Sequence, residues 1–113
     1  MLAWIPCKVI LFLEGFELIP SFGDRNTEAL FHGFPAKDIR RFPSTILKTA
    51  LQKLDMLNAA MDLRDLKSPP NNHLEALGRD LLGFHSIRVN DQWRLTFRWQ
   101  GSEAFDVRLT DYH

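Results

Sequence analysis

Apolar and polar residues alternate along the C-terminal third of the chain. In "HSIRVN", His85, Ile87 and Val89 share one side, and Ser86, Arg88 and Asn90 the other. "WRLTFRW" sets Trp93, Leu95, Phe97 and Trp99 against Arg94, Thr96 and Arg98. "FDVRLT" sets Phe105, Val107 and Leu109 against Asp106, Arg108 and Thr110. A period of two is the mark of a strand with one buried face. Asn90-Asp91-Gln92 and Gln100-Gly101-Ser102-Glu103 are turn sequences, and "LEAL" is a further short strand. Short turns between successive strands predict an antiparallel meander.

The period changes upstream. In "PSTILKTALQKLDMLNAA", Ile46, Leu47, Ala50, Leu51, Leu54 and Leu57 recur at three- and four-residue spacing. That spacing predicts an amphipathic helix with a core-packing stripe. Ser44 or Thr45 is the expected cap, and Lys48, Gln52, Lys53 and Asp55 fall mostly on the polar side. "GDRNTEALFHG" predicts a shorter helix, with Asp24 as N-cap and Gly33 as its stop. "ELIPSF" is a short extended candidate limited by Pro20, and "PAKDIRRF" is expected to form a turn or two before Pro43. "MDLRDL" reads as one further turn and "KSPPNN" as a loop. Helices first and strands afterwards predict an α+β fold, with N-terminal helices packed on one face of a C-terminal antiparallel sheet.

The first residues, "MLAWIPCKVILFLEGFELIPSF", do not match this regularity. Lys8 follows several apolar residues and no Ala-x-Ala comes after, which is poor for a secretory signal. Lys8, Glu14 and Glu17 interrupt the segment and Pro6 and Pro20 flank it, which is poor for a membrane span. Another reading is a start assigned too early, with residues 1–17 a spurious or unstructured extension and 18–113 the domain. The opposing reading is an extra strand or helix on the sheet edge.

A length of 113 residues supports one domain with one core. The apolar fraction of 45% and charged fraction of 25% are those of an ordinary globular protein. The formal net charge is zero, so bulk charge announces neither nucleic acid nor membrane. One cysteine, Cys7, excludes an intramolecular disulfide and a cysteine zinc set, which fits a cytoplasmic location.

Charge arrangement changes that picture. From Arg79 onward the chain has five arginines and no lysine. Strand alternation places Arg88, Arg94, Arg98 and Arg108 on the polar face. Guanidinium groups bind phosphate bidentately and stack on bases, so such a face suits a polyanion. The bland alternative is a solvated face with arginines paired to Asp91, Glu103 and Asp106. Asp111, Tyr112 and His113 follow on the last strand. Alternation sends Tyr112 toward the Arg108 face and His113 to the other. A histidine exchanges protons near neutrality, a tyrosine stacks or donates, and an aspartate orients an imidazole. With an arginine to stabilise phosphate charge, the group suits RNA cleavage by the adjacent 2′-hydroxyl, which needs no metal or other cofactor.

At these residues the sequence resembles the HigB toxins of the RelE/ParE superfamily of type II toxin–antitoxin systems. The likeness runs from about Leu18 to His113 and is anchored by "SFGDRNTEALFHG", "GFHSIRVNDQWRLTF" and "DYH". Members often begin Met-Ile-Lys-Ser-Phe, which lines up with Leu18-Ile19-Pro20-Ser21-Phe22. The resemblance implies a small α+β domain that cleaves mRNA in the ribosomal A site. It also implies neutralisation by HigA, a helix-turn-helix antitoxin through which operator DNA is met only indirectly. Carried over by position, Arg94 stabilises the phosphate, and Asp111, Tyr112 and His113 position RNA and handle protons. His113 is the first choice as acid or base. Arg79, Arg88, Arg98 and Arg108 are the expected RNA-binding residues.

One segment departs from the family. Many members read Leu-Lys-Gly-Asp-Arg where this chain reads Leu77-Gly78-Arg79-Asp80-Leu81. Some carry a histidine three residues before that lysine, where Glu75 stands here. Arg79 offers a displaced positive charge. The competing functions are therefore a weak or inactive toxin fold that only binds its antitoxin, a gyrase inhibitor of the ParE kind, and a plain structural domain. The terminal Asp-Tyr-His is unaccounted for by the gyrase reading.

Overall fold

The computed structural model describes residues 19–33 and 41–111. The segment "PAKDIRRF" lies largely outside them, as do residues 1–17, Tyr112 and His113.

Helix α1 spans Arg25–His32 and has the ends its sequence calls for. The Asp24 carboxylate accepts from the Thr27 N–H, and Gly33 closes the helix at a left-handed φ of 75°. Ala29 and Leu30 are buried on its inner side. A single 3₁₀ turn, Ser44–Ile46, leads into helix α2, Leu47–Ala59. Neither Ser44 nor Thr45 caps it with a side chain, contrary to the sequence expectation. The chain instead enters from Pro43 through the 3₁₀ turn, which contributes the backbone bond from Ile46 N to Pro43 O.

The buried stripe of α2 is Ala50, Lys53, Leu54 and Leu57, continued from Ile46 of the preceding turn. Leu51 is exposed, and Lys53, expected outside, is only 6% exposed. At 3.6 residues per turn, Leu51 lies about 100° from Ala50 around the helix and Lys53 about 60°. A helix seated with Ala50 and Leu57 innermost therefore rotates Lys53 inward and Leu51 out. Beyond α2, a 3₁₀ turn at Leu63–Lys67 starts from a capping box formed by Asp62 and Asp65, and Pro70–Asn72 forms another.

Four strands follow in sequence order: β1 (Glu75–Ala76), β2 (Phe84–Arg88), β3 (Trp93–Gln100) and β4 (Glu103–Asp111). Each is antiparallel to the next, which is the meander the turn sequences predict. Ile87, Leu95, Phe97, Val107 and Leu109 form the core face, packed against both helices. The architecture is α+β, as expected.

The alternation breaks in β4. Arg98 pairs with Phe105 and Thr96 with Arg108, so Asp106 and Val107 together stand opposite Phe97. This is a β-bulge, with Asp106 at a left-handed φ of 54° that aspartate tolerates better than most residues. It shifts the facing of everything before it. Ala104 takes the inward position, and Phe105, expected on the core side with Val107 and Leu109, stands on the arginine face instead. The Arg98 guanidinium lies 6.0 Å from the Phe105 ring centroid.

Residues 21–23 close the free edge of β4. Phe22 bridges Val107 in parallel, with Gly23 N donating to Val107 O at 2.7 Å. A side chain at Gly23 would come within 3.0 Å of Asp106 O, so the approach requires glycine. The fully buried Thr27 accepts from Leu109 N through its hydroxyl at 2.8 Å, tying α1 to the same edge. Asp24 thus caps the helix that guards β4. Asp24→Ala is expected to cost about 1 kcal/mol, read as a lower midpoint in urea unfolding with an unchanged slope.

Candidate active site

The polar face of the sheet carries Ser86 and Arg88 from β2, Arg94, Thr96 and Arg98 from β3, and Arg108 and Thr110 from β4. The register sets Arg94 between Arg88 and Thr110, and Thr96 between Ser86 and Arg108. Four of the five expected arginines are therefore brought together on one face. Arg79 is not among them. It sits in a 3₁₀ turn, Arg79–Leu81, between β1 and β2, at a left-handed φ of 56°. Strand facing does not govern it, because the segment is not a strand.

Arg94 is the most enclosed of the four face arginines, its side chain 14% exposed. Its Nη1 donates to Ser86 Oγ at 3.0 Å and lies 2.9 Å from Glu75 Oε1. Both contacts follow from register: Glu75 pairs with Ser86 on β2, and Ser86 stands opposite Thr96, the residue two along β3 from Arg94 on the same face. The guanidinium is a planar fork of five donors, and two partners on Nη1 hold that plane in place. Glu75 is the site residue that alternation did not single out. β1 has only two residues, too few for a period, so only pairing locates its carboxylate.

The other arginines also meet carboxylates. Arg88 pairs with Asp91 across the β2–β3 turn. Arg98 Nε donates to Asp106 Oδ2 at 2.7 Å. Arg108 lies 3.5 Å from Asp24 and donates to Gly23 O at 2.7 Å. The expected partners Asp91 and Asp106 are thus found, and Glu75 and Asp24 join them. Exposed ion pairs of this kind are worth little, about 0–1 kcal/mol, so a phosphate competes for these arginines at small cost. The bulge matters here, since it turns both the Asp106 carboxylate and the Phe105 ring toward Arg98.

Asp111 closes β4 opposite Trp93 and is exposed, with Gln92 Nε2 donating to its Oδ2 at 3.1 Å. Register therefore places it on the Trp93 side of the sheet, away from Arg94. A cleft of about 290 Å³ opens beside the arginine face, between Phe22 and Phe84 with Thr96, Asp106 and Arg108. It combines aromatic walls with charged and hydrogen-bonding groups, as a site for an unstacked base requires.

Comparison with known proteins agrees with this architecture. Residues 21–113 match the family described as the RelE-like toxin of type II toxin–antitoxin system HigB. Toxin HigB-1 of Vibrio cholerae is 43% identical over 70 residues, covering 62% of this chain and 74% of the relative. An uncharacterised protein of Haemophilus influenzae is 41% identical over 69 residues, covering 61% of this chain and 68% of the relative. Endoribonuclease HigB of Proteus vulgaris is 28% identical over 101 residues, covering 85% of this chain and all of the relative. With the family match running the length of the helix-and-meander domain, the chain belongs to the RelE-like HigB toxins of type II toxin–antitoxin systems.

Proposed function

We propose that this toxin is a ribosome-dependent mRNA endoribonuclease, neutralised by a HigA-type helix-turn-helix antitoxin and acting in the cytoplasm, where its substrate is translated. The observation that carries this reading is the enclosed Arg94, held flat by Ser86 and Glu75 among neighbouring arginines. The name of the full-length Proteus vulgaris relative, Endoribonuclease HigB, supports it. In the proposed reaction the 2′-hydroxyl loses its proton to a base and attacks the adjacent phosphorus. The bond to the 5′-oxygen breaks, and an acid returns a proton to that oxygen. A cyclic phosphate and a free 5′-hydroxyl result, with no metal required. Arg94 stabilises the charge gathering on the phosphoryl oxygens. His113 acts as acid or base, with Asp111 and Tyr112 supporting it, and Arg79, Arg88, Arg98 and Arg108 holding the strand. Incubating the protein with programmed ribosomes and mapping mRNA ends tests the reading, and intact mRNA at high toxin would refute it.

The second reading is a toxin fold that binds its antitoxin without cleaving. It is favoured by the carboxylate partners of the sheet arginines and by the altered Leu77–Leu81 segment. A restored charge separates the two. Gly78 has open space around its Cα and an ordinary extended φ, so lysine fits there. Arg79 occupies left-handed backbone, where glycine is preferred. Gly78→Lys with Arg79→Gly is expected to raise cleavage and to stabilise the fold by up to about 1 kcal/mol. Cleavage rates and melting temperatures measured on the same preparation check both halves. A level or falling rate would show that Arg79 already serves or that the segment plays no part.

A further inference from the structure

A second concave site lies at the end of the sheet away from the Phe22–Phe84 cleft. It has a volume of about 430 Å³ and is lined by Thr49, Gln52 and Lys53 of α2, Asn71, and Arg88 and Asn90 at the end of β2. The lining is two cations, three amides, a hydroxyl and Val89, with no carboxylate of its own, while the exposed Asp91 pairs with Arg88 from the adjoining turn. In a chain of zero net charge this is a local excess of donors. Lys53 is the unusual member. Its side chain is enclosed, and its ammonium donates to the buried Asn72 Oδ1. An ammonium has three donors, and among the described residues no carboxylate pairs with this one. Asn90 Oδ1 is taken by the backbone N–H groups of Gln92 and Trp93, which leaves its Nδ2 as a donor.

We propose that this cleft binds a phosphate group, specifically a backbone phosphodiester of the RNA strand that lies across Arg94. Several donors converging on one concavity match the three-dimensional acceptor set of a phosphate better than a planar carboxylate. Continuity supplies the source. Arg88 lines the cleft and stands directly opposite Arg94 in the β2–β3 register. A strand with one phosphate on Arg94 therefore meets Arg88 next and the Lys53 cleft beyond it. The identity of the ligand as RNA rests on the nuclease reading above, whereas the phosphate site does not.

The test uses the full ¹⁵N-labelled chain, titrated with inorganic phosphate and then with a single-stranded RNA whose 2′-hydroxyls are all methylated and so cannot be cleaved. Saturable shifts of the Thr49, Gln52, Asn71 and Asn90 amides are expected with both. Gln52 is exposed, so Gln52→Glu is expected to leave the melting temperature unchanged while weakening oligonucleotide binding about tenfold. Lys53→Met is expected to reduce the dependence of log affinity on log salt by about 0.7, the loss of one single-strand phosphate contact. Wild-type affinity and salt slope in both variants would overturn the proposal, as would an unperturbed cleft. Shifts with phosphate but none with the oligonucleotide, or displacement of phosphate only by an acidic peptide, would overturn the assignment to RNA. Oligonucleotide bound in the cleft by a protein that leaves ribosomal mRNA intact would sustain this site and refute the nuclease.

Discussion

Arg94→Ala is expected to lower cleavage of ribosome-bound mRNA, the activity proposed above, by about 10²–10³-fold, the usual effect of removing one donor to a developing oxyanion, and to leave the fold intact. The fold is expected to survive because Arg94 stands on the polar face and is not a member of the apolar core. Its partners include the Ser86 hydroxyl and the half-exposed Glu75, which returns to solvent when the arginine is gone. Arg94→Lys is not a rescue, since a point charge cannot reproduce a planar fork held at Nη1. His113→Ala is expected to cost about 10²–10⁴-fold, the range for a general acid or base. Its basis is the chemistry of the terminal Asp-Tyr-His sequence together with the resemblance, and His113 lies outside the described residues. Cleavage rates for both variants, with circular dichroism to verify folding, provide the check. Undiminished rates in both would sink the site assignment.

Replacing Asn72 with leucine produces the largest loss of stability expected from any single polar side chain here, about 3 kcal/mol or a fall of more than about 10 °C in melting temperature. Asn72 is fully buried and joins three parts of the chain. Its Nδ2 donates to Leu66 O at 3.0 Å and Ser68 O at 3.3 Å, and its Oδ1 accepts from Lys53. Leucine fills the volume but strands two carbonyls and an ammonium. Burial pushes the Lys53 ammonium below its ordinary value of 10.5 even in the wild type. A cation whose folded pKa is depressed destabilises the fold while charged. Stability therefore rises with pH between the folded value and 10.5, where the unfolded chain holds the extra proton. Losing the Asn72 acceptor deepens that depression. The deficit of Asn72→Leu is accordingly expected to shrink as pH rises through that window. Urea unfolding at neutral and alkaline pH measures it. A deficit independent of pH would show that Lys53 does not feel the loss.

The parts of the molecule set by neighbours in the chain were legible without coordinates. Asp24 and Gly33 delimit α1 because capping and left-handed backbone are local chemistry. The meander and its two turns follow from a period of two broken by polar residues. The arginine face follows from the same count. What tertiary structure alone decided lies where two distant segments meet. Whether Leu51 or Lys53 enters the core depends on how α2 is rotated on the sheet, and a stripe of six apolar residues permits either edge to be innermost. The bulge at Asp106 depends on Ser21, whose Oγ accepts from Asp106 N at 2.8 Å across 85 positions. That single extra residue moved Phe105 to the arginine face. Arg94 was readable as chemistry, but its enclosure was not, because Glu75 reaches it only through the pairing of β1 with β2. Periodicity reports which residues share a face of one element. Register and rotation between elements are settled by packing, and they determine which charges meet.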